Sequence, residues 1–214
     1  WTGTGEILSI AEEYLNELNP DARLEVFGQE LNPESYAICK SDLLIKGQNA
    51  SNIKKGNSIS EDKLASEKFD YLITNPPFGV KWEKFAKPVK AEHEQLGHGG
   101  RFGAGLPSVS DGSFLFLMHL MSKMKRPEDG GSRLALVFNG SPLFSGSPSK
   151  TKNESSIRQW IIENDLLEAV IALPNQLFYN TGISTYVWVI SNHKPTERKG
   201  KVQLINAIDF SKKM

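Results

Sequence analysis

A compact run of aromatic and β-branched residues, Phe69-Asp-Tyr-Leu-Ile-Thr74, stops abruptly at Asn75-Pro76-Pro77-Phe78. Such a run reads as a strand. Two consecutive prolines then fix two φ angles, remove two backbone donors and push the residue before each into an extended conformation. The strand must end there, and the rim it leaves is stiff and poor in donors. Its carbonyls and the Asn75 amide oxygen can accept hydrogen bonds from a visitor, while Phe78 offers a ring face beside them. That combination suits a planar group carrying an NH₂, such as a nucleobase or a carboxamide. The same residues also fit a Pro-Pro turn with a core-packed Phe, and local chemistry leaves both readings open.

Around this element the chain alternates in period. Ile7, Ile10, Ala11, Tyr14, Leu15 and Leu18 recur at helical spacing up to Asn19-Pro20. Residues 24–30 are short and β-like. A helix is expected from Pro33 to about Lys46, with Asn32 as N-cap and Pro33 at its first position. A short strand is expected over 54–58. Residues 78–109 show poor periodicity and many Gly, Pro and Lys, which predicts a long excursion over the surface, a kind of loop that is usually functional or mobile. A helix from Asp111-Gly-Ser113 to about Lys125, a strand over 133–138, a flexible Ser/Gly/Lys connection over 145–153 and a helix over 154–164 follow. Strand-like runs at 166–173, 185–190 and 202–205 complete the chain. The alternation predicts an α/β fold, a doubly wound and mostly parallel sheet with helices on both faces.

Composition narrows the class. The chain has 214 residues, 25 Lys+Arg against 25 Asp+Glu, and 39% hydrophobic residues. That is too apolar and too neutral for a disordered polyelectrolyte, and no apolar run approaches the ~18 residues of a membrane span. The length suits a single domain with a sizeable core. Cys39 has no partner within the chain, and no basic-then-apolar leader precedes the first helix, so an intracellular, cytoplasmic protein is expected. Neutrality also lacks the basic excess of a protein that grips phosphate backbone unaided.

Gly3-Thr4-Gly5 forms a tight turn immediately before the first helix, with no strand ahead of it. In a doubly wound fold such a turn follows the first, central strand. The chain is therefore expected to begin inside a domain, with that strand missing.

Ile73-Thr-Asn-Pro-Pro-Phe-Gly79, with the glycine turn upstream and Gly28-Gln-Glu-Leu-Asn-Pro33 between them, resembles the amino-methyltransferases that use S-adenosylmethionine. Further segments are Arg101-Phe-Gly-Ala-Gly-Leu-Pro107, Asn139-Gly-Ser-Pro-Leu-Phe144, Ile157-Arg-Gln-Trp-Ile-Ile-Glu-Asn164 and Leu173-Pro-Asn-Gln-Leu-Phe-Tyr-Asn-Thr-Gly182. With these the chain is similar to the methylation subunit of type I restriction-modification systems, a family of N6-adenine DNA methyltransferases. The resemblance implies a Rossmann-like methyltransferase core over residues 1–214. It also implies S-adenosyl-L-methionine as methyl donor, DNA as substrate, and separate sequence-specificity and restriction subunits as partners.

Residue by residue, the resemblance gives Gly3, Thr4 and Gly5 to the methionine part of the cofactor, where only glycine lets backbone approach a ligand at a helix N-terminus. It gives Glu30, at a strand's carboxyl edge, to the ribose hydroxyls. Asn57 aligns where the family usually places an Asp near the adenine, and Glu6 where it commonly has a second Gly. Asn75, Pro76 and Phe78 match the catalytic motif. If the Asn75 side-chain oxygen and the Pro76 carbonyl accept the two hydrogens of an adenine amino group, its nitrogen can become tetrahedral and its developing positive charge is stabilised. Phe78 would stack on a base rotated out of the duplex. Phe178 and Tyr179 are candidates for facing that base, with ordinary packing as the competing reading.

Lys81, Lys84, Lys87 and Lys90 repeat every three residues just after the motif, interrupted by Glu83, Glu92 and Glu94. A phosphate-facing stripe is possible, and a solvated face is the commoner outcome. His93 and His98 show no metal-site pattern, and His119 reads as a structural residue within a helix. Two other functions remain open: a protein glutamine N5-methyltransferase, since the same rim can hold a carboxamide, and a catalytically inert scaffold of the same complex.

Overall fold

The computed structural model describes residues 2–149, 153–178 and 182–210. They form two compact units, residues 1–67 and 68–214, and two separate sheets.

The first unit opens with α1 (Glu6–Leu18), which starts at Gly5. Strand β1 (Gly28–Glu30) follows, then α2 (Pro33–Ile45) and β2 (Ile53–Lys55). Asn32 caps α2 as expected, its side chain accepting the N–H groups of Glu34 and Ser35, with Pro33 at the first position. β1 and β2 pair in parallel with Gly28 opposite Ile53 and Glu30 opposite Lys55, so α2 is the crossover of a β-α-β unit. Both strands are shorter than expected, and β2 lies slightly upstream of 54–58. Val26, Cys39, Leu43, Ala50 and Ile53 form a small core, against which Leu8, Leu24 and Tyr36 pack.

The second unit is built on five strands: β3 (Tyr71–Thr74), β4 (Arg133–Asn139), β5 (Leu167–Ala172), β6 (Thr185–Ser191) and β7 (Gln203–Asn206). Their order is β3-β4-β6-β5-β7. β3 is parallel to β4 and β5 to β7, while β6 is antiparallel to both its neighbours. Four of five strands thus run the same way, and the carboxyl ends of β3, β4 and β5 share one edge. The helices are α3 (Ala86–Leu96), α4 (Ser113–Met121), the short α5 (Ser141–Phe144) and α6 (Glu154–Glu163).

The core of this unit explains the register. Leu134, Leu136 and Phe138 alternate along β4 and are wholly buried. α4 is apolar all round, Phe114 to Met118 being buried, as befits a central helix. Phe114, Phe138 and Trp188 meet edge to face with centroids 5.3–6.0 Å apart.

One expectation is overturned. Residues 78–109 are not a surface excursion, because α3 lies within them and Val89, Phe102 and Trp82 are core residues. Pro88 and the lysines disguise the helix. Pro88 is tolerated because it sits in the first turn, where its missing N–H would have no intrahelical partner.

Candidate functional site

In the first unit the glycine turn is closed by Gly5 N–H donating to the Thr2 carbonyl at 3.1 Å. Gly5 sits at φ +88° as the N-cap of α1, and a Cβ there would stand 2.7 Å from the Cys39 sulfur. Gly3 has φ +56°, and a Cβ there would meet nothing within 4 Å, so this side of the turn faces open space. Thr4 is exposed between them. Positive φ at Gly5 and a close helix both require glycine.

Glu30 ends β1 and is wholly buried, not an exposed strand-end residue. Its Oε2 accepts the Gly3 N–H at 2.8 Å and its Oε1 the Asn32 N–H at 2.7 Å. Two backbone donors compensate the buried charge, and spare lone pairs remain on both oxygens. The Glu30 carbonyl also accepts from Gly56 N, which brings the Asn57 turn to the same strand end. Asn57 turns its Oδ1 onto the Ile59 N–H at 2.9 Å, so its amide shapes this loop. Gln29 fixes the loop from the other side, donating to the Glu61 carbonyl and accepting from Lys63 N. Gly3, Glu30 and Asn57 are thereby gathered around one strand end and one helix N-terminus. An anionic group suits the helix end, and a polyol suits a buried carboxylate.

In the second unit Asn75 follows directly on β3, at the shared carboxyl edge. Pro76 is buried, whereas Asn75, Pro77 and Phe78 are half-buried. Among the described residues no hydrogen bond engages the Asn75 amide. The segment beyond is pinned: Gly112 N donates to the Val80 carbonyl at 2.9 Å, Trp82 N to Val109 O, and the Trp82 indole to Ser108 O at 2.8 Å. Phe178 is half-buried beyond β5, on the same edge but three strands from β3, about 14 Å at the usual strand spacing. Tyr179 lies outside the described residues.

A polar cluster that the sequence did not reveal ties α3 and α4 to the loop that carries Arg101. Arg101 grips Glu92 with Nε and Nη2 at 2.7–3.1 Å, its Nη1 donates to His119 Nδ1 at 3.1 Å, and its guanidinium lies 4.6 Å over the Phe102 ring. Since a guanidinium has only donors, His119 Nδ1 must accept and its proton sits on Nε2. His93 Nδ1 meets the Phe102 carbonyl at 2.7 Å. Glu154, also buried, accepts the Ser108 N–H. Beyond the resemblance carried by Arg101 to Pro107, the glycines between Gly97 and Gly105 are the local sequence signal of this loop. Among the described residues no group of three or more His, Cys, Asp or Glu side chains could hold a metal.

The mostly parallel α/β architecture is the Rossmann-like fold of S-adenosylmethionine-dependent methyltransferases. The chain belongs to the N-6 DNA Methylase family, whose pattern matches residues 1–214. It is 30% identical over 214 residues to the type I restriction enzyme MjaIX methylase subunit of Methanocaldococcus jannaschii, covering 99% of this chain and 36% of that protein. It is likewise 30% identical over 187 residues to the HindI methylase subunit of Haemophilus influenzae, covering 86% of this chain and 38% of the relative. The crystal structure of a type I restriction-modification methyltransferase subunit from Streptococcus thermophilus aligns with a TM-score of 0.75 at 26% identity, over all of this chain and 42% of that one. The chain thus spans little more than a third of the length of the curated relatives it matches.

Proposed function

We propose that residues 1–214 form one catalytic domain that transfers a methyl group from S-adenosyl-L-methionine to adenine N6 in DNA. It would act in the cytoplasm as part of the modification subunit of a type I restriction-modification system. DNA and the sequence-specificity and restriction subunits are its proposed partners. The observation that carries this reading is the Asn75 amide, unengaged among the described residues, beside the buried Pro76 on a strand end that the prolines strip of donors.

The cofactor, when bound, supplies an electrophilic methyl group on a sulfonium. Its methionine end would lie against Gly3, Thr4 and Gly5, where open space and a helix N-terminus meet. Glu30 would accept from the ribose with the lone pairs that Gly3 and Asn32 leave free, and the Asn57 turn would border the adenine.

An exocyclic amino group is a poor nucleophile because its lone pair is delocalised into the ring. Asn75 Oδ1 and the Pro76 carbonyl, both acceptors, draw its hydrogens out of the ring plane and localise that lone pair. The same acceptors stabilise the positive charge that develops on the nitrogen, so no strong general base is needed. Phe78 stacks on the extruded base, and Phe178 and Tyr179 are the further candidates for facing it. Because acceptors on a stiff rim do not reorganise, positioning supplies much of the rate.

Methyl transfer to plasmid DNA and to a glutamine-bearing peptide, measured side by side with the full-length protein and its partner subunits, tests this reading. Labelled DNA supports it; exclusive labelling of the peptide replaces it with a protein methyltransferase.

A further inference from the structure

We propose that Lys81, Lys84, Lys87 and Lys90 form a docking surface for the DNA phosphate backbone beside the base-accepting rim. This rests on the DNA reading above and adds the surface that holds the substrate there.

All four lysines are exposed, and no hydrogen bond or ion pair engages any of them among the described residues. Their arrangement follows from the way α3 is anchored. Val89 and His93 are the buried residues of α3, and Glu92 faces inward to Arg101. At 100° per residue, Lys87 falls on the opposite side of the helix, with Lys90 on its flank and Glu94 between them. Lys84 is exposed on the turn Glu83–Phe85 that leads into α3. Of the three acids that interrupt the stripe in sequence, Glu92 is therefore neutralised by Arg101. Glu83 and Glu94 remain exposed on the surface; four lysines against these two acids leave an excess of two exposed positive charges.

Position completes the case. Lys81 lies three residues after Phe78, so their Cα atoms are at most about 11 Å apart. Lys81 is flanked by Val80 and Trp82, the two residues whose backbones are pinned to 109–112. From Lys87 to Lys90 α3 rises about 4.5 Å, close to the rise of one nucleotide along one strand. A base drawn out against Phe78 leaves its flanking phosphates within reach of flexible ammonium groups, and a phosphate polyanion is the partner that unpaired, strongly hydrated lysines fit.

The test uses the full-length protein in its native assembly and a labelled DNA duplex, with affinity measured across a salt series. The triple variant Lys84→Gln/Lys87→Gln/Lys90→Gln is expected to flatten the slope of log affinity against log salt by about 3, at 0.9 per lost contact. S-adenosylmethionine affinity and thermal melting stay unchanged. A control triple of exposed lysines elsewhere, Lys54→Gln/Lys68→Gln/Lys199→Gln, keeps the wild-type slope. A wild-type slope in the first variant, or equal flattening in both, overturns the docking surface while leaving the DNA reading intact. Absence of any salt-dependent duplex binding by the wild-type assembly overturns the DNA reading and the docking surface together.

Discussion

The Glu30 carboxylate accepts the Gly3 backbone N–H at 2.8 Å, so one buried acid fastens the glycine turn to the end of β1. Its other oxygen holds Asn32 N, the cap of α2. Glu30→Gln keeps the size but turns an NH₂ toward one of these donors. A buried donor left without an acceptor costs about 1–3 kcal/mol. The variant is expected to lose that much stability in urea titration and to bind S-adenosylmethionine at least tenfold more weakly by calorimetry. Wild-type values in both measurements would remove Glu30 from its bridging role.

Gly5 faces two separate constraints, a left-handed backbone and the Cys39 sulfur. Gly5→Ala is expected to cost about 1–3 kcal/mol. Cys39→Ser/Gly5→Ala relieves little of the contact, whereas Cys39→Ala/Gly5→Ala relieves it and leaves only the backbone strain. A double-mutant cycle should therefore show positive coupling between Gly5 and Cys39 for the Ala pair. Strict additivity would show that the sulfur is not the obstacle.

Trp188 is 2% exposed, yet among the described residues its indole N–H has no hydrogen-bond partner. Trp188→Phe removes that unmet donor, which offsets part of the volume lost. Its expected cost is under about 1.5 kcal/mol, against about 3–5 kcal/mol for Phe138→Ala in the same aromatic cluster. Equal losses, read from chemical denaturation, would mean the indole N–H carries no penalty.

Lys194 is buried and donates to Asp165 Oδ1 at 2.6 Å, to the Leu167 carbonyl and to the Lys201 carbonyl. The Lys194 ammonium, helped by the Gly200 N–H, holds the Asp165 carboxyl below its ordinary value of 3.8. A lowered folded value means the stabilisation is complete above the ordinary value and disappears as pH falls through the lowered one. Asp165→Asn should therefore flatten the acid side of the stability profile below about pH 4. Parallel profiles for wild type and variant would contradict this.

The local turns, caps and strand ends were the legible part of the chain. A strand cut short by two prolines, a glycine turn and a capped helix at Asn32 are local devices, and local devices survive in one sequence. What escaped was long-range. α3 hides behind Pro88 and its lysines, although Val89, His93 and Leu96 carry the helical spacing. The burial of Phe102 depends on contacts with α3 that no local pattern records. The burial of Glu30 left no local trace because the partners that hold it, at Gly3 and Asn32, are backbone groups. The reversal of β6 was likewise unreadable, since a strand's pattern does not state its direction.

The central claim is that Asn75 and Pro76 accept an adenine amino group for methylation. The most direct measurement is methyl transfer by Asn75→Ala in the intact assembly, with the labelled DNA digested to nucleosides. Wild type is expected to place the label on N6-methyladenine, and the variant to lose a factor on the order of 10²–10³ in turnover while S-adenosylmethionine affinity stays near normal. Turnover retained by the variant, or wild-type label found only on N4-methylcytosine, would contradict the account.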